Sequence, residues 1–181
     1  IRRLESYGWT TAIEVSFSIW GERGSIDILA WHAATRTLLV VEVKSVLPDV
    51  QSLLHGLDRK ARLGAEIGQS RGWSPAAVAR LVAIAESPTS RGRVARHATV
   101  LDVALPVRGR ELRAWLRDPT GPIAGLMFLS NASPGRTTHS TWRRERVRRP
   151  RKAAKSPVAL GQAAMDKDSA AAGHAARSAD P

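Results

Sequence analysis

Gly24-Ser25-Ile26-Asp27-Ile28-Leu29-Ala30 and Leu39-Val40-Val41-Glu42-Val43-Lys44 carry three charged side chains inside two otherwise aliphatic runs. A strand interior is a poor place for Asp, Glu or Lys unless something uses them. Residues 25–32 and 37–45 read as two strands, and their nearly continuous apolar content suits strands covered on both faces. Only Ala33-Ala34-Thr35-Arg36 separates them, which predicts a hairpin. With Ala34 and Thr35 at its tip, the numbers of opposed residues sum to 69: Ala33 faces Arg36, Trp31 faces Leu38, Leu29 faces Val40 and Asp27 faces Glu42. Opposed residues have Cβ atoms roughly 4.5–5.5 Å apart on one face of the sheet. Lys44 shares that face with Glu42 through the two-residue period of a strand. One assumption about the turn therefore gathers two carboxylates and an ammonium.

Two opposed carboxylates in an apolar sheet repel each other and lose solvation, so removing one is expected to raise the stability of the cation-free chain. A divalent cation would remove that cost. Oxygen ligands without Cys or paired His suit Mg²⁺ or Mn²⁺ rather than zinc. Such an ion lowers the pKa of a bound water and polarises a phosphoryl oxygen. Lys44 beside it could position the attacking water or stabilise charge developing at phosphorus. Together these features describe metal-assisted phosphodiester hydrolysis.

Outward from this core, residues 2–7 read as a helix end stopped by Gly8, and 9–18 as a strand. Gly21-Glu22-Arg23-Gly24 reads as a turn. Pro48 and Asp49 open a helix whose apolar stripe is Val50, Leu53, Leu54, Leu57 and Ala61. Arg59, Lys60 and Arg62 read as its wet side. Ser74-Pro75 carries an N-cap and first-turn proline signal for another helix. Residues 81–85 read as a strand, 91–97 as a helix, and 100–105 and 124–129 as strands. A meander followed by an α/β crossover gives a mixed sheet.

Asp27 followed by Glu42-Val43-Lys44, in the order helix–strand–strand–strand–helix–strand, resembles the PD-(D/E)XK nuclease superfamily. Residues 21–30 are most similar to its Mrr-like and Holliday-junction-resolvase-like members. The resemblance implies an α/β fold with a restriction-endonuclease-like core, a central mixed β-sheet flanked by helices. It implies that Asp27, Glu42 and the carbonyl of Val43 hold the metal and that Lys44 is catalytic. Members often add another acid. Glu5, Glu14 and Glu22 all qualify, and Glu22 is preferred because its turn leads straight into the strand of Asp27. Gln51 matches a glutamine some members carry after the motif, but reads better as a solvated helix residue. The implied activity is Mg²⁺- or Mn²⁺-dependent endonucleolytic hydrolysis of DNA. The alternative is a nuclease-fold DNA-binding or transcription-regulatory module with little or no turnover.

Composition agrees with a polyanionic partner. The 181 residues hold 28 Lys and Arg against 16 Asp and Glu, a formal charge of +12. Residues 136–181 contribute eleven basic and four acidic side chains, more than half of that excess. The expected organisation is a nuclease-like domain over 1–132 and a basic, Ala-rich, disordered tail over 133–181. Within the tail, Arg143, Arg144, Arg146, Arg148, Arg149, Arg151 and Lys152 are candidates for phosphate contacts, and Trp142 for stacking on bases. Trp9, Trp31 and Trp115 sit in apolar patterns and read as core. The absence of Cys excludes disulfides and thiolate metal sites. Neither a phosphate-loop motif nor a serine-hydrolase elbow occurs in the sequence. Apolar runs fall short of the roughly 18–20 residues that span a bilayer. The expected setting is cytoplasmic, with DNA as partner, RNA left open, and a homodimer favoured if both strands are cut. The chain starts at Ile1, which places the natural N-terminus upstream as an expectation.

Overall fold

The computed structural model describes residues 1–130 and the backbone of 146–148. In chain order these form α1 (Arg2–Glu5), β1 (Trp9–Ile19), β2 (Glu22–His32), β3 (Thr37–Lys44), α2 (Val50–Gln69), β4 (Ala77–Ala85), α3 (Pro88–Arg96), α4 (Ala98–Ala104), α5 (Gly109–Arg117), β5 (Ala124–Leu129) and β6 (Arg146–Arg148). One mixed sheet runs in the order β5-β4-β3-β2-β1-β6. The β1–β2 and β2–β3 pairs are antiparallel, whereas β3–β4, β4–β5 and β1–β6 are parallel. Helices lie on both faces. On one, α2, α3 and α4 bury Leu53, Leu57, Ile67, Val94 and Leu101 with Leu38, Val40, Val82 and Ile84. On the other, α5 packs Leu112, Trp115 and Leu116 over Leu39, Val41 and Leu81, and Trp9 Nε1 donates to the Leu116 carbonyl at 2.8 Å.

The expected register holds from the tip to Ile28 and Val41, with Trp31 opposing Leu38 and Leu29 opposing Val40, but the ladder ends before the expected Asp27–Glu42 pair. The tip is wider than two residues, because the ladder closes at His32 and Thr37 and the four residues between turn with Arg36 at φ 52°. The helix after the motif also forms as expected, with Asp49 at its N-cap accepting from the Ser52 N–H at 2.8 Å. That bond holds the Asp49 carboxyl below its ordinary pKa. Trp9, Trp31 and Trp115 are all buried.

Four local readings are corrected. The turn predicted at 21–24 lies at Trp20-Gly21, whose φ values of 54° and 84° suit the two-residue hairpin turns matched to strand twist. Gly24 is a strand residue instead: a Cβ there would lie 2.7 Å from the Phe17 ring, so the glycine makes room for its cross-strand partner. Ser74-Pro75 starts no helix, because the Ser74 carbonyl accepts from Arg36 Nε and β4 begins at Ala77. The same dipeptide does cap α3, where Ser87 Oγ accepts from the Ser90 N–H and Pro88 opens the first turn. Residues 100–105, read as a strand, belong largely to α4, which buries Leu101. Finally, α5 carries no expected counterpart.

Strand β6 lies inside the segment read as a tail, and pairs Ser16 with Arg146 through Ser18 with Arg148. The remaining residues beyond 130, including Trp142, Arg143, Arg144, Arg149, Arg151 and Lys152, lie outside the described residues. No helix among the described residues is long and apolar enough to cross a membrane.

Candidate active site

The β2–β3 ladder stops at Ile28 and Val41, so residues 22–27 of β2 are paired only with β1. The alternation of β2 breaks at the same point. Ile26 and Leu29 both face the α2 layer, which a strict period of two forbids. Across the ladder, Ala12 and Val15 flank the same irregularity, and Glu14 between them takes φ 48°. A left-handed backbone at a non-glycine residue is strained. Asp27 is thereby turned toward β3, where its Oδ2 accepts from the Val43 N–H at 2.7 Å.

Glu42 is only 7% exposed on the α2 side of the sheet. Lys44 Nζ lies 2.6 Å from Glu42 Oε1 and 3.9 Å from Asp27 Oδ2. The structure therefore brings together Asp27, Glu42, Val43 and Lys44, but Asp27 and Glu42 are not the ladder pair the register predicts: Asp27 reaches the site past the end of the ladder and takes the Val43 N–H. Val43 meets Asp27 through its N–H, whereas the resemblance implies a role for its carbonyl.

A fourth member comes from α2. Lys60 is 9% exposed, and its Nζ is paired with Glu42 Oε2. This overturns the reading of Lys60 as part of a wet face. It extends the buried stripe of Leu53, Leu57, Gly64 and Ile67 at helical spacing, and that continuation past Ala61 was the signal available in the sequence. Burial raises the Glu42 pKa, but the hydrogen bonds and charges of Lys44 and Lys60 outweigh it and hold the carboxyl below its ordinary value. The Lys60 pair argues against the expectation that removing Glu42 stabilises the chain, because its loss strands a buried ammonium.

The additional acid is not resolved in favour of Glu22. That residue opens β2, five positions and about 16 Å along the strand from Asp27. There it pairs with Arg62 of α2 at 2.7 Å. Glu5 accepts from Thr11 Oγ1 at 2.9 Å. Of the three, Glu14 occupies the register position opposite Asp27, between the Ile13–Ile28 and Val15–Ile26 pairs. Gln51 is exposed on α2. No group of three or more His, Cys, Asp or Glu converges among the described residues.

The oxygen atoms of Asp27 and Glu42 are nonetheless of the kind that hard divalent cations take. Asp27 and Glu42 offer carboxylate oxygens at adjoining positions, and the group between them is the partly exposed ammonium of Lys44. Beyond the end of β3, a cleft of about 380 Å³ is lined by Leu47, Pro48, Asp49, Arg93, Arg96 and His97. Comparison with protein-family models, curated proteins and solved structures finds no match to this chain.

Proposed function

We propose that the chain is a Mg²⁺- or Mn²⁺-dependent endonuclease of the PD-(D/E)XK type, with a restriction-endonuclease-like core, that hydrolyses DNA phosphodiester bonds. The observation that carries this reading is the Lys44 ammonium set between Glu42 and Asp27, at 2.6 and 3.9 Å. Asp27 and Glu42 would hold the cation. When bound, it would supply Lewis acidity toward a phosphoryl oxygen and a water of lowered pKa. Asp27 is fixed by the Val43 N–H and Glu42 by Lys60, so neither carboxylate must reorganise as charge develops. Lys44 lies at the mouth of the site, where its ammonium can hold the water or face the developing charge. The overall charge of +12, and Arg93, Arg96 and His97 in the cleft after β3, support a phosphate-rich partner.

One observation favours a second reading, that of a nuclease-fold DNA-binding module without turnover. Both oxygens of Glu42 have ammonium partners, Lys44 on one and Lys60 on the other. The two readings separate in a cleavage assay on linear, nicked and branched DNA, with RNA in parallel, in Mg²⁺, in Mn²⁺ and in EDTA. Cation-dependent products are expected from at least one DNA form. Tight binding without product from any of them leaves only the binding module.

A further inference from the structure

We infer that Lys60 is a positioning residue and built-in counter-ion: it keeps one oxygen of Glu42 whether or not a divalent cation is present, and it weakens the grip of Asp27 and Glu42 on that cation. This inference rests on the cation-site reading above.

The two lysines on Glu42 differ in what holds them. Lys60 comes from α2, a separate element, and lies on its buried face with Leu57 and Gly64. Its side chain is 11% exposed and meets Glu42 Oε2. Lys44 is the last residue of β3, its side chain is 30% exposed, and it meets Oε1. A buried ammonium that left Glu42 would lose its partner without regaining water, whereas Lys44 is rehydrated as it swings free. Oε1, on the Asp27 side, is therefore the oxygen that changes partners, and Lys44 is the group released toward substrate.

Charge completes the argument. Asp27, Glu42, Lys44 and Lys60 sum to zero, so the carboxylates lack the excess negative charge that usually draws in a divalent ion. A fixed positive charge a few ångströms away opposes the ion through a protein interior that screens poorly. At 9% exposure Lys60 has no path to touch a polynucleotide, which excludes it as a group acting on the scissile phosphate. If Lys60 were only a strut for α2, its removal would lower stability and leave cation affinity unchanged or weaker.

The test is Mn²⁺ titration calorimetry on the full chain for wild type, Asp27→Asn, Lys60→Met, Lys60→Gln and Lys60→Arg. The wild type is expected to bind Mn²⁺ in a process that Asp27→Asn abolishes. Lys60→Met and Lys60→Gln should bind about tenfold tighter or more, the scale of one removed unit charge at short range. Lys60→Arg, which keeps the charge, should stay within about threefold of wild type. Should Lys60→Met unfold too readily for calorimetry, Lys60→Gln and the Mn²⁺-induced rise in thermal midpoint carry the comparison, with a larger rise expected than in wild type. Unchanged or weaker affinity in the charge-removing variants, beside normal wild-type binding, overturns the counter-ion role alone. Absence of Asp27-dependent binding in the wild type overturns the cation site and this inference with it.

Discussion

The carboxylate of Asp27 takes the N–H of Val43 at 2.7 Å, one step past the last ladder pair, Ile28 and Val41. A side chain thus continues the sheet where the backbone of β2 has stopped doing so. The same bond fixes one oxygen of the candidate cation site on β3.

Asp27→Asn retains an oxygen for that N–H and Asp27→Ala does not. Both variants should lose cation-dependent cleavage. Only Asp27→Ala should speed amide exchange at Val43, with a stability loss of about 0.5–1.5 kcal/mol. Exchange measured residue by residue, beside a Mg²⁺ cleavage assay, separates the two effects. Cleavage surviving in either variant removes Asp27 from the chemistry.

Glu42→Ala strands Lys60 in the core and should destabilise the cation-free chain by about 3 kcal/mol or more. Thermal unfolding should show this as a fall in midpoint of roughly 10 °C. A midpoint equal to or above wild type would mean that carboxylate repulsion, not the Lys60 pair, dominates the site.

Acid should reveal the same pair. The folded-state pKa of Glu42 lies below its ordinary value, so its contribution is fully present above the unfolded-state pKa. It disappears as pH falls through the lower, folded-state value. Urea unfolding between pH 7 and pH 3 should therefore show wild type losing stability below about pH 4.3, the ordinary Glu value. Glu42→Gln should show a shallower decline over that window, and an identical slope would remove Glu42 from the acid response.

Lys44→Ala should leave DNA affinity within a few-fold, since one phosphate contact among many is a small loss. Single-turnover cleavage should drop by roughly 10²-fold or more, the scale of one well-placed stabilising group. Lys44→Arg should not restore it, because a planar fork cannot replace a compact ammonium at a water. Equal losses in binding and turnover would instead mark Lys44 as an ordinary phosphate contact.

Removing residues 136–181 takes away seven of the twelve net positive charges. DNA binding should weaken and its dependence on salt should flatten. An unchanged slope in a salt titration would place the phosphate contacts on the remaining surface, where Arg93 and Arg96 line the cleft after β3.

How much could be read beforehand varied with the kind of signal. The hairpin register survived a wider tip because a two-residue and a four-residue turn centred between Ala34 and Thr35 oppose the same residues. Asp27, Glu42 and Lys44 were legible for that reason. Lys60 was passed over although its spacing put it in the buried stripe, because a charged residue there looks like the edge of the wet face until an acid is known to lie beneath it. Two identical Ser-Pro pairs parted company for a tertiary reason: Ser87 caps a free helix start, while Ser74 is tied back to Arg36 at the mouth of β4. Val100 and Val103 suggested a strand by their branching, yet they are exposed on α4 and Leu101 supplies its buried contact. Glu14 gave no local sign of its left-handed backbone, which lies opposite the point where β2 departs from β3.

That departure divides the sheet mechanically. Beyond Glu14 and Asp27, the ribbon of residues 15–26 is held to β3 by no ladder bond, and leans on α2 through Trp20 with Glu66 and Glu22 with Arg62. Its attachment to the rest of the fold is through side chains instead: Val15, Phe17, Ile19 and Ile26 are buried in the core that α2 covers. Asp27 stands where that ribbon leaves the ladder, while Glu42 and Lys44 belong to β3 and Lys60 to α2. The spacing of the two carboxylates therefore depends on how the β1–β2 hairpin packs on α2, and not on ladder bonds between the strands that carry them.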